Sequence, residues 1–308
     1  MEEKKKIKRG FKDFAHLFIS SQAEKIAVDD VSESSERSSI YKYELSKPIF
    51  CFTSLTQLEE RNTFILKTAS ELINSGKKVL IIDADFSVPR LSMNKNVNQF
   101  FSVMNLLNGN PKTKLFDQPD VNLKVITVDI DMSDLSLLNI QKRIFIKQFF
   151  RLSEEKADTI LISVPSKIKY PMVLNLIKAS NWLITIASKE KEDMIETYRL
   201  FKSIFNKIKD ISFGIAVSGV GKHEESVEIT NIIRRVSNKY LSKGLKNFGY
   251  IQPAQNGGKL SEKIDGVELN TLIYNSNLSD TFLELLHRPG NRNGNLKTKY
   301  PLTNNLIK

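Results

Sequence analysis

The stretch Lys77-Lys78-Val79-Leu80-Ile81-Ile82-Asp83-Ala84-Asp85 constrains the fold more than any other part of the chain. Two lysines lead into four consecutive aliphatic residues, and the run closes on two aspartates one residue apart. An unbroken apolar row has no wet face, so it suits a strand covered on both sides, as in a parallel sheet. Such a strand delivers whatever follows it to the carboxyl edge of the sheet, where open α/β folds hold ligands. There Asp83 and Asp85 are either a pair that orients Mg²⁺ or water or caps of the next element. Spacing alone leaves both readings open.

The rest of the central region repeats this grammar. Short apolar runs at 48–54, 121–128, 159–165, 182–187 and 213–219 read as strands. Helical periodicity marks 63–75, 140–152, 194–208 and 227–241, and Gly76 suits the stop of the first of these helices. Strand, helix and strand over 48–83 have the length of a right-handed βαβ unit. The expected fold class is therefore α/β, a mostly parallel sheet with helices on both faces.

Three regions differ in composition. Residues 1–46 form a basic arm followed by a Ser-rich linker, 47–288 the α/β domain, and 289–308 a Gly-, Asn- and Lys-rich flexible tail. In the arm, Lys8 and Arg9 belong to a basic cluster that runs into Phe11, Phe14 and Phe18, one apolar face of a short amphipathic helix. That stripe has three destinations: the chain's own core, a partner's groove or an anionic membrane surface. The formal charge of +11 allows nucleic acid or anionic lipid as partner, or is only a solvated basic surface. No run of 18 apolar residues occurs, and the charged N-terminus lacks the core of a secretory signal. Cys51 is the single cysteine, so a cytoplasmic location is the default. His16, His223 and His287 are scattered, and Cys51 in a buried strand reads as core.

These pieces, in this order, resemble the MinD/ParA-type ATPases with a deviant Walker A loop. Gly76 to Asp85 (GKKVLIIDAD) is similar to that family's GKKVLLIDAD. Phe248-Gly249-Tyr250-Ile251 is similar to its LGYIP, and Leu272 to Asn277 to its LLAYPNSP. The resemblance covers about 48–286 and is strongest to the FlhG (FleN) branch of MinD-like proteins. Asp83 to Leu91 also resembles the bacterial tyrosine kinases of polysaccharide export. The family implies a P-loop NTPase-like fold, ATP with Mg²⁺, and a dimer face around the nucleotide.

The nucleotide residues depart from that pattern. Where the family has TSGKGGVGKTT, this chain has Thr53-Ser54-Leu55-Thr56-Gln57-Leu58-Glu59-Glu60-Arg61-Asn62-Thr63, with no glycine. A phosphate cradle needs glycine so that backbone N–H groups can converge without a Cβ in the way. Thr56 falls on the signature lysine, Arg61 on the P-loop lysine and Asn62 on the Mg²⁺-binding hydroxyl, while Thr63 keeps the neighbouring position. Ser163-Val164-Pro165-Ser166 replaces the DxxP strand end, Ser218 an Asn, and Gln252-Pro253-Ala254 a Pro-x-Asp turn.

The expectation is a pseudo-ATPase with no catalytic residues and no metal site. ATP and Mg²⁺ would bind only if the remnant Arg61, Thr63, Asp83 and Asp85 still suffice. Such a protein would act as a regulatory, scaffolding or positioning factor, cytoplasmic or peripheral to the inner membrane. Its expected partners are another protein, with an intact MinD/ParA-type paralogue as one candidate, a second copy of the chain, or a membrane met by the arm. Ser21-Gln22-Ala23 to Ala27 faintly resembles the DQAxxLR motif with which FlhG proteins stimulate a GTPase. Two alternatives stand beside this: an ATPase or polysaccharide-export-type kinase with a divergent loop, and a nonspecific DNA-binding protein. The tail holds only Tyr300, against the tyrosine-rich tail of such kinases, and nucleic acid is not favoured.

Overall fold

The computed structural model describes residues 47–85, 122–127, 157–166, 171–253, 259–264, 267–272 and 276–287. The arm with Lys8, Arg9, Phe11, Phe14 and Phe18, the helix expected at 140–152 and the tail lie outside the described residues. Strand β1 (Ile49–Ser54) is followed by helix α1 (Leu58–Asn74), and β2 (Val79–Asp83) is the aliphatic run with its first aspartate. Then come β3 (Leu123–Thr127), β4 (Thr159–Ser163), α2 (Pro171–Ala179), β5 (Trp182–Ser188) and α3 (Lys191–Lys207). The chain continues through β6 (Ser212–Ser218), α4 (His223–Leu241), β7 (Leu245–Ile251) and the antiparallel pair β8 (Lys259–Ile264) and β9 (Val267–Leu272). A short β10 (Ser276–Leu278) and α5 (Asp280–His287) complete it.

Eight strands make one sheet in the order β10-β7-β6-β5-β1-β4-β2-β3, parallel throughout except for β10 on the edge. The fold class is the one the apolar runs imply. Alternation within each run sorts side chains to two cores. Cys51, Ile82 and Ile162 face one layer, which α2, α3 and α4 cover with Val173, Phe201 and Ile233. Phe50, Phe52 and Ile81 face the other, where Phe64 of α1 and Phe282 of α5 close over them. In that layer Phe282 stacks between Phe64 and Phe248, with ring centroids 6.0 and 4.4 Å away. Each fully buried phenylalanine stabilises the fold by roughly 1.5–3 kcal/mol relative to exposure.

Gly76 ends α1 as expected. It has φ +79°, its N–H bonds Ile73 O, and the Lys77 N–H bonds Leu72 O, the two bonds of a Schellman turn. Three helices begin earlier than their apolar periodicity suggests. α3 and α4 start at Lys191 and His223 instead of 194 and 227, because their acidic first turns (Glu192 and Asp193, Glu224 and Glu225) favour the helix N-terminus without contributing core residues. α1 starts at Leu58 instead of 63, and this difference reshapes the site.

Candidate functional site

The carboxyl ends of β1, β4 and β2 lie side by side, with Phe52 opposite Ser163 and Asp83 opposite Ser163 in the parallel register. A single loop, Leu55 to Gln57, separates β1 from α1, so the first turn of α1 stands directly above these three strand ends. Arg61 is the fourth residue of α1 and points inward, and its side chain is 2% exposed. Its guanidinium Nη1 donates to Asp85 Oδ2 at 2.8 Å and to the Val164 carbonyl at 3.1 Å. Nε and Nη2 both lie 3.4 Å from Asn62 Oδ1. One side chain thus ties α1 to the ends of β2 and β4.

Asp85 sits two residues past β2 and is 1% exposed, as is Asp83. The Asp85 N–H lies 3.4 Å from Asp83 Oδ1, so the aspartates are linked to each other locally. Neither is exposed at the surface of the described residues. The hydroxyls of Thr53, Ser54 and Ser163 and the Gln57 Oε1 are buried around this centre without a hydrogen-bond partner among the described residues. Thr63 does not join the group: its hydroxyl bonds back to the Glu59 carbonyl at 2.9 Å, along α1.

The acidic first turn of α1 reaches the other half of the edge. Burial raises the Glu60 carboxyl above its usual range, Glu59 beside it adds repulsion, and hydrogen bonds from its own backbone N–H and from Ser218 at the end of β6 partly offset both. Beyond it, the Gly219 N–H bonds Ile251 O at 2.9 Å and Gln252 Nε2 lies 3.2 Å from the Gly221 carbonyl. Cys51 is fully buried in β1, and desolvation pushes its thiol far up, which leaves no nucleophile there.

The residues do not fit a magnesium-bound triphosphate. A phosphate cradle requires free backbone N–H groups, yet the Leu58 N–H is turned to Thr56 O at 3.0 Å and the Arg61 N–H to Gln57 O at 3.0 Å. The buried cation at these strand ends, Arg61, is already paired with Asp85. Asn62 offers no hydroxyl, and Glu59 and Glu60 occupy the N-terminal turn where an anion would otherwise sit. Among the described residues no group of three or more His, Cys, Asp or Glu side chains converges as a metal site.

This sheet order, with its parallel strands and site at their carboxyl ends, is the MinD/ParA-type P-loop ATPase fold. A ParA family ATPase from Chlorobium tepidum TLS superposes with a TM-score of 0.50 at 14% identity, covering 67% of this chain and 84% of that one. The MinD of the MinC:MinD cell division complex from Aquifex aeolicus gives 0.49 at 16% identity over 67% and 81%. MinD with Mg-ADP from Pyrococcus horikoshii OT3 gives 0.48 at 16% over 67% and 81%. At this identity the likeness concerns the fold alone. No protein-family model and no curated relative matches the sequence.

The structure brings Arg61, Asp83 and Asp85 together and leaves Thr63 outside. Sequence reasoning did not assign Val164 or Ser218 a contact: the first acts through its carbonyl, which no side-chain pattern reveals, and the second through Glu60, which helix α1 positions only because it starts early.

Proposed function

We propose that this chain is a nucleotide-independent relative of the MinD/ParA-type ATPases, a docking body that regulates or positions other proteins and does not turn over ATP. The observation that carries the reading is the buried Arg61–Asp85 pair at the carboxyl ends of β2 and β4, which commits the cation nearest those strand ends to a carboxylate. Releasing Arg61 to a phosphate would leave Asp85 buried and uncompensated, a cost of about 3–5 kcal/mol. Set against the roughly 8 kcal/mol of a micromolar ligand, that leaves about 3–5 kcal/mol, a Kd between roughly 0.1 and 5 mM. The protein's contacts, on this reading, are with another protein, an intact nucleotide-binding paralogue or a second copy among the candidates. The arm with Lys8, Arg9, Phe11, Phe14 and Phe18 then supplies the attachment. Calorimetric titration of the full chain with Mg-ATP and with Mg-ADP tests this: no heat of binding is expected in the micromolar range. A micromolar Kd for either nucleotide would overturn the proposal.

A further inference from the structure

The amino edge of the sheet, opposite the site above, is strongly polarised. Because β5, β6 and β7 are parallel and in register (Trp182 with Ser212, Phe213 with Leu245), the turns that feed them line one rim. Helices α3 and α4 run back to the same rim and end there. Five lysines meet on it, Lys207, Lys209, Lys239, Lys243 and Lys246, against Asp210 and Asp280. At the carboxyl edge of the same strands the balance reverses, with Glu190, Glu192, Asp193, Glu224 and Glu225 against Lys189, Lys191 and Lys222.

Lysines near helix C-termini also complement the helix dipole, and Lys207 and Lys239 do so here. That role does not extend to Lys209, Lys243 and Lys246, which lie beyond the last turns. Their stems pack on aromatic rings: Lys209 and Lys243 lie 4.1 and 5.6 Å from the Phe205 centroid, and Lys246 is 5.3 Å from Trp182. Rings under the ammonium groups hold them at the surface. Beside them Tyr240, with Lys239 at 5.1 Å, is 45% exposed, the one large apolar side chain so exposed among the described residues.

We propose that this lysine and aromatic rim is a docking surface for an anionic lipid bilayer. The rim is a row of strand starts and helix ends about 14 Å across three strands at the usual spacing. Its outward cations are mostly lysines, point charges that suit a field of headgroups more than the bidentate geometry of a single phosphate, while the Arg234 guanidinium is turned to the Leu245 carbonyl and to Asn231 Oδ1, each at 2.7 Å. An exposed tyrosine flanked by lysines belongs at headgroup depth. Lys47, directly before β1, lies at this same edge of the sheet. This placement does not depend on whether the carboxyl edge binds nucleotide.

Flotation of the full chain with phosphatidylcholine–phosphatidylserine vesicles tests it, with pure phosphatidylcholine vesicles and duplex DNA as comparison probes. The chain is expected to float with the anionic vesicles only, and less as salt rises. Each lysine near an anionic leaflet contributes about fivefold in partitioning. The triple variant Lys207→Gln, Lys209→Gln, Lys239→Gln should then partition on the order of a hundredfold more weakly, while remaining folded with a thermal midpoint lowered by no more than a few degrees, the scale of two helix-dipole contributions. The control Lys189→Gln, Lys191→Gln, Lys222→Gln at the opposite edge should float as the native chain does. Equal flotation of the rim variant and the native chain would overturn the proposal. So would absence of flotation, or retardation of DNA without flotation.

Discussion

The Arg61–Asp85 pair makes a quantitative prediction that separates a structural centre from an idle remnant. Both side chains are at most 2% exposed, and the 2.8 Å contact is accompanied by the bond from Arg61 to the Val164 carbonyl. Arg61→Ala strands the Asp85 carboxylate in the interior, and Asp85→Ala strands the guanidinium; removal of one partner from a buried pair costs about 3–5 kcal/mol. Urea unfolding should show that loss for each single variant, with a fall in thermal midpoint of roughly 6–20 °C for a domain of this size. The double variant Arg61→Met, Asp85→Leu removes both charges at once and should recover most of the loss, because replacing a whole buried pair by apolar groups is often close to neutral. Closed with the single variants Arg61→Met and Asp85→Leu, the cycle should yield a coupling energy of several kcal/mol. Glu196→Ala provides the contrast within the same protein: its pair with Arg199 is about half-exposed and should be worth under about 1 kcal/mol. If Arg61→Ala costs no more than Glu196→Ala, or the double variant is as unstable as the two losses added, the pair does not hold α1 to the strand ends and the reasoning fails.

Two further outcomes follow from neighbouring geometry. Glu60 has its carboxyl pKa raised by burial and by Glu59. A raised folded-state value means that the stability it allows is complete below the unfolded pKa and is lost as pH rises through the folded one. Glu60→Gln should consequently raise the urea midpoint at neutral pH and lose that advantage at about pH 4, near the model-peptide value; a gain that persists unchanged into acid would contradict the assignment. Gly249 has φ +137°, and a Cβ there would meet the Asn277 carbonyl oxygen at 2.0 Å, so β10 could not pair with β7 as it does. Gly249→Ala should destabilise by about 2–4 kcal/mol in the same unfolding assay, and a loss below about 0.5 kcal/mol, the scale of an unremarkable surface change, would show that the edge strand pairs otherwise.

The fold and the site were legible to different depths, for a physical reason. Strands such as Val79–Asp83 and Thr159–Ser163 are written in local, unbroken apolar runs, and burial on both faces is what such runs require. The pair β8–β9 and helices α2 and α5 carried no comparable run and were not foreseen. At the site, sequence reasoning could see which residues were absent but not what the replacements do. Arg61 reads as a displaced phosphate ligand as long as α1 is thought to begin at 63. Once Gln57 and Leu58 are wound toward the helix and Glu59 and Glu60 settle in its first turn, position 61 is helical and its side chain is aimed down at the strand ends. There it meets Asp85, whose place after β2 was fixed by the most legible strand in the chain. A loop without glycine winds into helix here, and that helix carries the Arg61 cation inward to the Asp85 carboxylate. Of the two aspartates that end the aliphatic run, Asp85 is held by the protein's own Arg61, and Asp83 accepts from the Asp85 N–H.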